Sequence, residues 1–126
     1  MSQPVRMLAA TQSNARESGH EPSKHLDTFN IAGFQHWDGA TVISELKVGQ
    51  KLELEPQRDN PHDANAIAIR FSGTMLGYVP RAKNELMATM AFFGHADVFE
   101  CRVLKVDPEA DPWEQVLVGI YITDAR

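Results

Sequence analysis

The stretch Asp59-Asn60-Pro61-His62-Asp63-Ala64-Asn65-Ala66-Ile67-Ala68-Ile69 runs from a dense polar turn straight into a strand, and nothing else in the chain constrains its folding as tightly. Asn and Asp fold their side chains back onto nearby backbone groups, while Pro61 fixes one φ and keeps Asn60 out of the helical region. The segment therefore predicts a rigid polar corner. Two uses are open to it: its side chains can all be consumed in making the turn, or Asn60 and Asp63 can be presented to a ligand.

The elements around the corner follow from period and turn signals. Lys51 to Glu55 alternates with Leu52 and Leu54 on the dry face, and Ala66 to Phe71 alternates again. Ser72-Gly73 then reads as a tight turn into a second arm, Met75 to Val79, giving a hairpin closed by Pro80. Upstream, Phe29, Ile31 and Gly33 mark a first strand, and Thr41 is placed to cap a short helix carrying Val42, Ile43 and Leu46 before Gly49. Downstream, Arg81 to Phe93 predicts the main helix, with Leu86, Met87, Met90 and Phe93 on one stripe and Gly94 at its end. Strands at about Val98 to Val106 and Gln115 to Thr123 complete the order.

Short strands around one helix predict a mainly β protein, a small OB-like barrel of about six strands. Its core should hold Leu52, Leu54, Ile67, Ile69, Leu76, Leu86, Met90, Phe99 and Val103. Residues 1–28 lack a sustained period and read as a flexible N-terminal arm, leaving 29–126 as the barrel domain. A chain of 126 residues with 43% hydrophobic and 23% charged content suits such a single domain.

A net charge of -5 argues against duplex DNA binding through a general basic field, so a nucleic-acid site would have to be local. The lone Cys101 excludes an internal disulfide and, flanked by Phe99 and Val103, reads as a core thiol. No apolar run reaches membrane-spanning length and the N-terminus lacks a signal pattern, so the expectation is a soluble, cytoplasmic protein with no membrane partner.

The templates for phosphate loops, zinc helices and nucleophile elbows are missing, and the chain is not expected to be an enzyme. His36, His62, Asp59 and Asp63 are the only candidate metal ligands, without a fixed spacing. They leave a bound zinc or other divalent ion as the lesser alternative to no cofactor. Flat rings recur instead: Phe34, His36 and Trp37 after the first strand, His62 in the corner and Tyr78 late in the hairpin. Rings stack on bases, worth about 1 to 3 kcal/mol each, so few phosphate contacts suffice for single strands. Arg58, Arg81 and Lys83 are the basic residues nearest to them.

Phe29-x-Ile31-Ala32-Gly33-Phe34, Gly39, Gly49-x-x-Leu52-x-Leu54, the corner from Asn60 to Ile69, and Leu76-Gly77-Tyr78-Val79-Pro80-Arg81 together resemble the HIRAN domain, over about Phe29 to Thr123. The resemblance implies an OB-like barrel of the kind found at the N-terminus of SWI2/SNF2-type fork-remodelling translocases. There it captures the 3'-hydroxyl end of single-stranded DNA. The chain resembles the short free-standing bacterial form. Matched residue by residue, the resemblance implies Asn60 and Asp63 at the DNA end, with Asp63 accepting from the terminal hydroxyl. His62 stands at a stacking position, Tyr78 beside the terminal nucleotides and Arg81 at a phosphate. Gln35-His36 replaces an Arg-Tyr pair, with Trp37 next to it as a substitute ring.

The leading expectation is thus a module for single-stranded DNA 3' ends in repair or at replication forks. Asn60 and Asp63 would read the terminus; Gln35, His36, Trp37, His62 and Tyr78 would surround the bases; Arg58 and Arg81 would meet phosphates. Two other readings stay open: an interaction barrel docking on a repair or helicase protein without DNA, and a metal-dependent hydrolase.

Overall fold

The structure, a computed structural model, describes residues 23–124. The described residues form six strands, β1 (Ser23–Asn30), β2 (Lys51–Pro56), β3 (Ile67–Phe71), β4 (Thr74–Tyr78), β5 (Phe99–Val106) and β6 (Val116–Thr123), and one α-helix, α1 (Glu85–Phe92). The strands form a single antiparallel sheet in the order β1-β6-β5-β2-β3-β4. β2 is the fold's corner: its first residues pair with β5 (Lys51 with Arg102, Leu52 with Cys101), and from Glu53 onward it pairs with β3.

The two sheet edges meet at one point, which gives the sheet its barrel form. Past the end of β1, Ile31 N–H still donates to the Val116 carbonyl of β6 (3.1 Å), while Ala32 exchanges both backbone hydrogen bonds with Tyr78 of β4 (2.8 and 2.9 Å). Gly77 permits this seam. Its φ is +152°, and a Cβ there would fall on the Ala32 carbonyl oxygen and the Ile31 side chain. The β3–β4 hairpin turns on Ser72 and Gly73, both with positive φ, as a two-residue loop between twisted strands requires.

The core joins Phe29, Ile31, Phe34, Leu52, Ile67, Ile69, Leu76, Phe99, Val103 and Ile120, with Leu54 and Met90 half-buried against it. Leu86 is a correction: it is 52% exposed, and Met87 takes the inward position. The expected long helix breaks at Asn84 into a 3-10 turn (Arg81–Lys83) and the eight residues of α1, so the buried stripe is set by Met87 and its neighbours Ala88 and Met90.

Two further expectations change. Residues 23–28, assigned to an arm, form most of β1, which pairs with β6 from Ser23–Thr123 to Asn30–Leu117. As an edge strand it buries only Phe29, so Lys24, His25, Asp27 and Thr28 give it the composition of an arm. Residues 1–22 of the arm lie outside the described residues. The helix expected from Thr41 is instead a string of 3-10 turns, Phe34–His36, Gly39–Thr41 and Ile43–Glu45. Thr41 Oγ1 donates back to the Asp38 carbonyl (2.6 Å), and Gly39 lies flat on the Phe34 ring, so packing on that ring sets the path in a stretch too short to nucleate an α-helix.

Candidate nucleic-acid interface

The polar corner between β2 and β3 is held from inside. Asn60 Oδ1 accepts from the N–H groups of His62 (2.8 Å) and Asp63 (3.2 Å), a side chain mimicking a backbone turn. Its Nδ2 donates to Gln57 Oε1 (3.1 Å) and, at 3.5 Å, to Tyr78 Oη, while Tyr78 Oη donates to the same Gln57 oxygen (2.8 Å). The amide of Asn60 is thus committed at both ends, and Gln57 ties the corner to β4.

Asp63 is fixed just as closely but keeps capacity. Oδ1 accepts from Asn65 N–H (2.9 Å), and Oδ2 accepts from Asn84 Nδ2 (2.9 Å) and faces Arg81 Nε at 3.5 Å. A carboxylate has about four acceptor positions, so these partners leave room on Oδ1 for one more donor. The Asn65 N–H, the Asn84 amide and the Arg81 guanidinium together hold the Asp63 carboxyl below its ordinary range, against the opposing effect of burial. Asn84, 2% exposed, makes no cap bond to α1; its side chain goes to Asp63 instead. Arg81 also donates from Nη2 to the His62 carbonyl (2.8 Å), so this exposed arginine is anchored at the corner's rim.

These residues open onto a groove of about 460 Å³. Trp37 and Tyr78 form one wall, their rings edge to face with centroids 6.0 Å apart, and Trp37 is 44% exposed. His62, Asp63 and Arg81 line the same groove, together with the small side chains of Ala32 and Ala66. The groove thus offers flat rings, an ionised acceptor and a cation within one concavity, a set that suits a base, a hydroxyl and a phosphate.

Of the residues singled out in the sequence, Trp37, Asn60, His62, Asp63, Tyr78 and Arg81 line this groove. Gln35 and His36 do not; they are exposed on the turn before Trp37. Arg58 does not line it either, because its guanidinium lies 4.1 Å over the ring of Phe92 at the far end of α1. Lys83 pairs with Asp27 of β1 (3.2 Å). Among the described residues no three His, Cys, Asp or Glu side chains gather as a metal-holding group, His36, His62, Asp59 and Asp63 included. Cys101 is buried, its thiol pushed up to about 12 by desolvation, as a core thiol would be. No described helix is long and apolar enough to cross a membrane.

Sequence reasoning missed Gln57 and Asn84. Asn84 carries a weak signal, a polar residue at the head of a helix, but capping is the ordinary meaning of that signal. Gln57 carries none, since its role depends on β4 arriving across the corner.

The family model of the HIRAN domain matches residues 27–123. A crystal structure of a protein from Lactobacillus plantarum is similar with a TM-score of 0.67 at 24% identity, covering 79% of this chain and 94% of that one. The crystal structure of the HIRAN domain of human HLTF is similar with a TM-score of 0.56 at 14% identity, covering 82% of each chain. Both likenesses are of fold. No curated protein matches the chain.

Proposed function

The chain belongs to the HIRAN domain family, and from that premise we propose that it is a non-catalytic module that takes the 3'-hydroxyl end of single-stranded DNA into the groove, in DNA repair or at replication forks. The terminal hydroxyl donates to the open position on Asp63 Oδ1. The last bases lie against Trp37, Tyr78 and His62, and Arg81 meets a phosphate. Asn60 acts by shaping the corner, its amide being engaged with Gln57, Tyr78 and the backbone.

One observation carries this reading: a carboxylate held ionised by Asn65, Asn84 and Arg81, with acceptor capacity to spare, opens into the same groove as the Trp37–Tyr78 wall. An ionised acceptor favours a hydroxyl donor and repels a terminal phosphate, which separates the two kinds of strand end by charge.

The test is fluorescence anisotropy at one stated salt concentration with an oligonucleotide ending in a 3'-hydroxyl and the same strand ending in a 3'-phosphate. The hydroxyl form should bind more tightly, because the phosphate brings roughly two negative charges toward Asp63. Asp63→Asn should narrow the difference. Equal binding to both ends removes Asp63 from this role, and no binding even at low salt favours the interaction-barrel reading instead.

A further inference from the structure

Helix α1 flanks the corner along its whole length. At its head, Asn84 bonds Asp63 on the groove; at its last residue, Phe92 lies under Arg58. Eight residues of α-helix span about 12 Å, so the two ends of α1 at which these contacts are made lie about that far apart. Phe92 and Phe93 meet edge to face with centroids 4.9 Å apart, and they are 53% and 66% exposed. Two adjacent phenylalanines left this far in water are unusual for a short helix that buries Met87 on its other side.

The cation on this pair is itself unengaged. Arg58 makes no hydrogen bond or ion pair among the described residues, so the five N–H donors of its guanidinium face solvent while its plane rests on the Phe92 ring. A guanidinium stacked on one face and open on the other is arranged to take a base on its free face and a phosphate on its edge. Arg58 lies two residues before Asn60, which lines the groove, and two residues of chain span at most about 7 Å.

We propose that Arg58, Phe92 and Phe93 form a second subsite, for the bases and backbone of a single strand whose 3' end lies in the groove. This rests on the reading of the groove as a strand-end site. At a stacked spacing of about 3.4 Å per nucleotide, 12 Å corresponds to about three to four nucleotides, so the subsite engages strands longer than that and is out of reach of a dinucleotide.

The experiment compares 5'-labelled dT2 and dT8, both with free 3'-hydroxyls, by anisotropy on the full chain across a salt series. Wild type should bind dT8 at least about fivefold more tightly than dT2, the least that one added stacking contact supplies. Phe93→Ala should lower dT8 affinity about fivefold and leave dT2 unchanged. Arg58→Ala should in addition flatten the dT8 salt slope by about 0.7, the share of one phosphate contact on a single strand. Both side chains are exposed, and cooperative thermal melting well above the assay temperature checks that the variants fold. Equal wild-type affinity for the two lengths, or a Phe93→Ala variant that binds dT8 normally, overturns the subsite while leaving the groove reading intact and turns the patch over to a protein partner. Wild type that binds dT8, sensitively to Phe93→Ala, but gives the same dT8 affinity with a 3'-phosphate end overturns the groove reading and with it the proposal that the patch serves a strand anchored there. Wild type binding neither length overturns both.

Discussion

Arg58 over Phe92 and Arg102 over Tyr121 are two cation–ring pairs of nearly the same geometry, 4.1 and 4.0 Å from guanidinium to ring centre, on different parts of one small barrel. Their surroundings differ. Arg102 sits within the sheet, donates to the Glu100 carboxylate and to Ser23 Oγ (3.1 Å), and joins β5 to the start of β1. Lys51 of β2 reaches the same Glu100 (3.3 Å), so this cluster ties together β1, β2, β5 and, through Tyr121, β6. Arg58 has the ring and no acceptor among the described residues. The stacking distance therefore says little about what an arginine is for. The guanidinium edge says more: it bonds a carboxylate and a hydroxyl of the protein in one pair and is left to solvent in the other.

The change that would erase the comparison altogether is Gly77→Val, because both pairs hang on a barrel closed at Ala32–Tyr78. A β-branched side chain at φ +152°, pressed on the Ala32 carbonyl, should cost about 3 kcal/mol or more. Urea denaturation would show it, and a variant as stable as wild type would mean the seam does not hold the barrel.

Asn84→Ala comes next, at about 1–3 kcal/mol, since it removes a buried amide and leaves Asp63 Oδ2 without its closest partner. This variant sharpens the comparison from the groove side by losing stability and end discrimination together; a loss of stability with the preference for a 3'-hydroxyl intact would separate the two roles.

The direct contrast is Arg102→Ala against Arg58→Ala. The first should lose about 1–2 kcal/mol, because the half-buried Glu100 loses a charged hydrogen bond. The second should lose no more than about 0.5–1 kcal/mol, the scale of an exposed cation–ring contact. Equal losses in chemical denaturation would break the distinction between a structural and an available arginine.

The smallest effect is one of pH. Asp63 has a folded value below its ordinary 3.8, so its contribution to stability is complete above 3.8, declines as pH falls below it and is gone once the lowered value is passed. Glu100 behaves alike, since burial opposes ionisation but the hydrogen bonds of Arg102 and Lys51 outweigh it. Stability should therefore fall on acidification from pH 5 to pH 3 or so, and less steeply in Asn84→Ala, where one of the groups lowering the Asp63 value is gone. Parallel curves for variant and wild type would show that the Asn84 bond does not favour the ionised carboxylate.

What the sequence determined was local. Alternation placed β2, β3, β4, β5 and β6 within a residue or so of their ends, because the side-chain period of a strand is written in consecutive residues. The same held for the corner, whose Asn60 and Asp63 bond backbone groups two or three residues away. Five of the residues singled out for a site share one groove because the corner, Tyr78 and Arg81 all flank a single hairpin, whereas Trp37 joins them only through the Ala32–Tyr78 seam. Tertiary structure decided everything that needs two distant segments to meet. β1 is a strand only because β6 lies beside it, Leu86 is outside because the helix starts at Glu85, and Arg58 leaves the groove because Phe92 offers it a ring. Gln57 and Asn84 hold the site through bonds spanning 21 residues, and the pairing of β2 with β3 and of β3 with β4 brings those partners within reach.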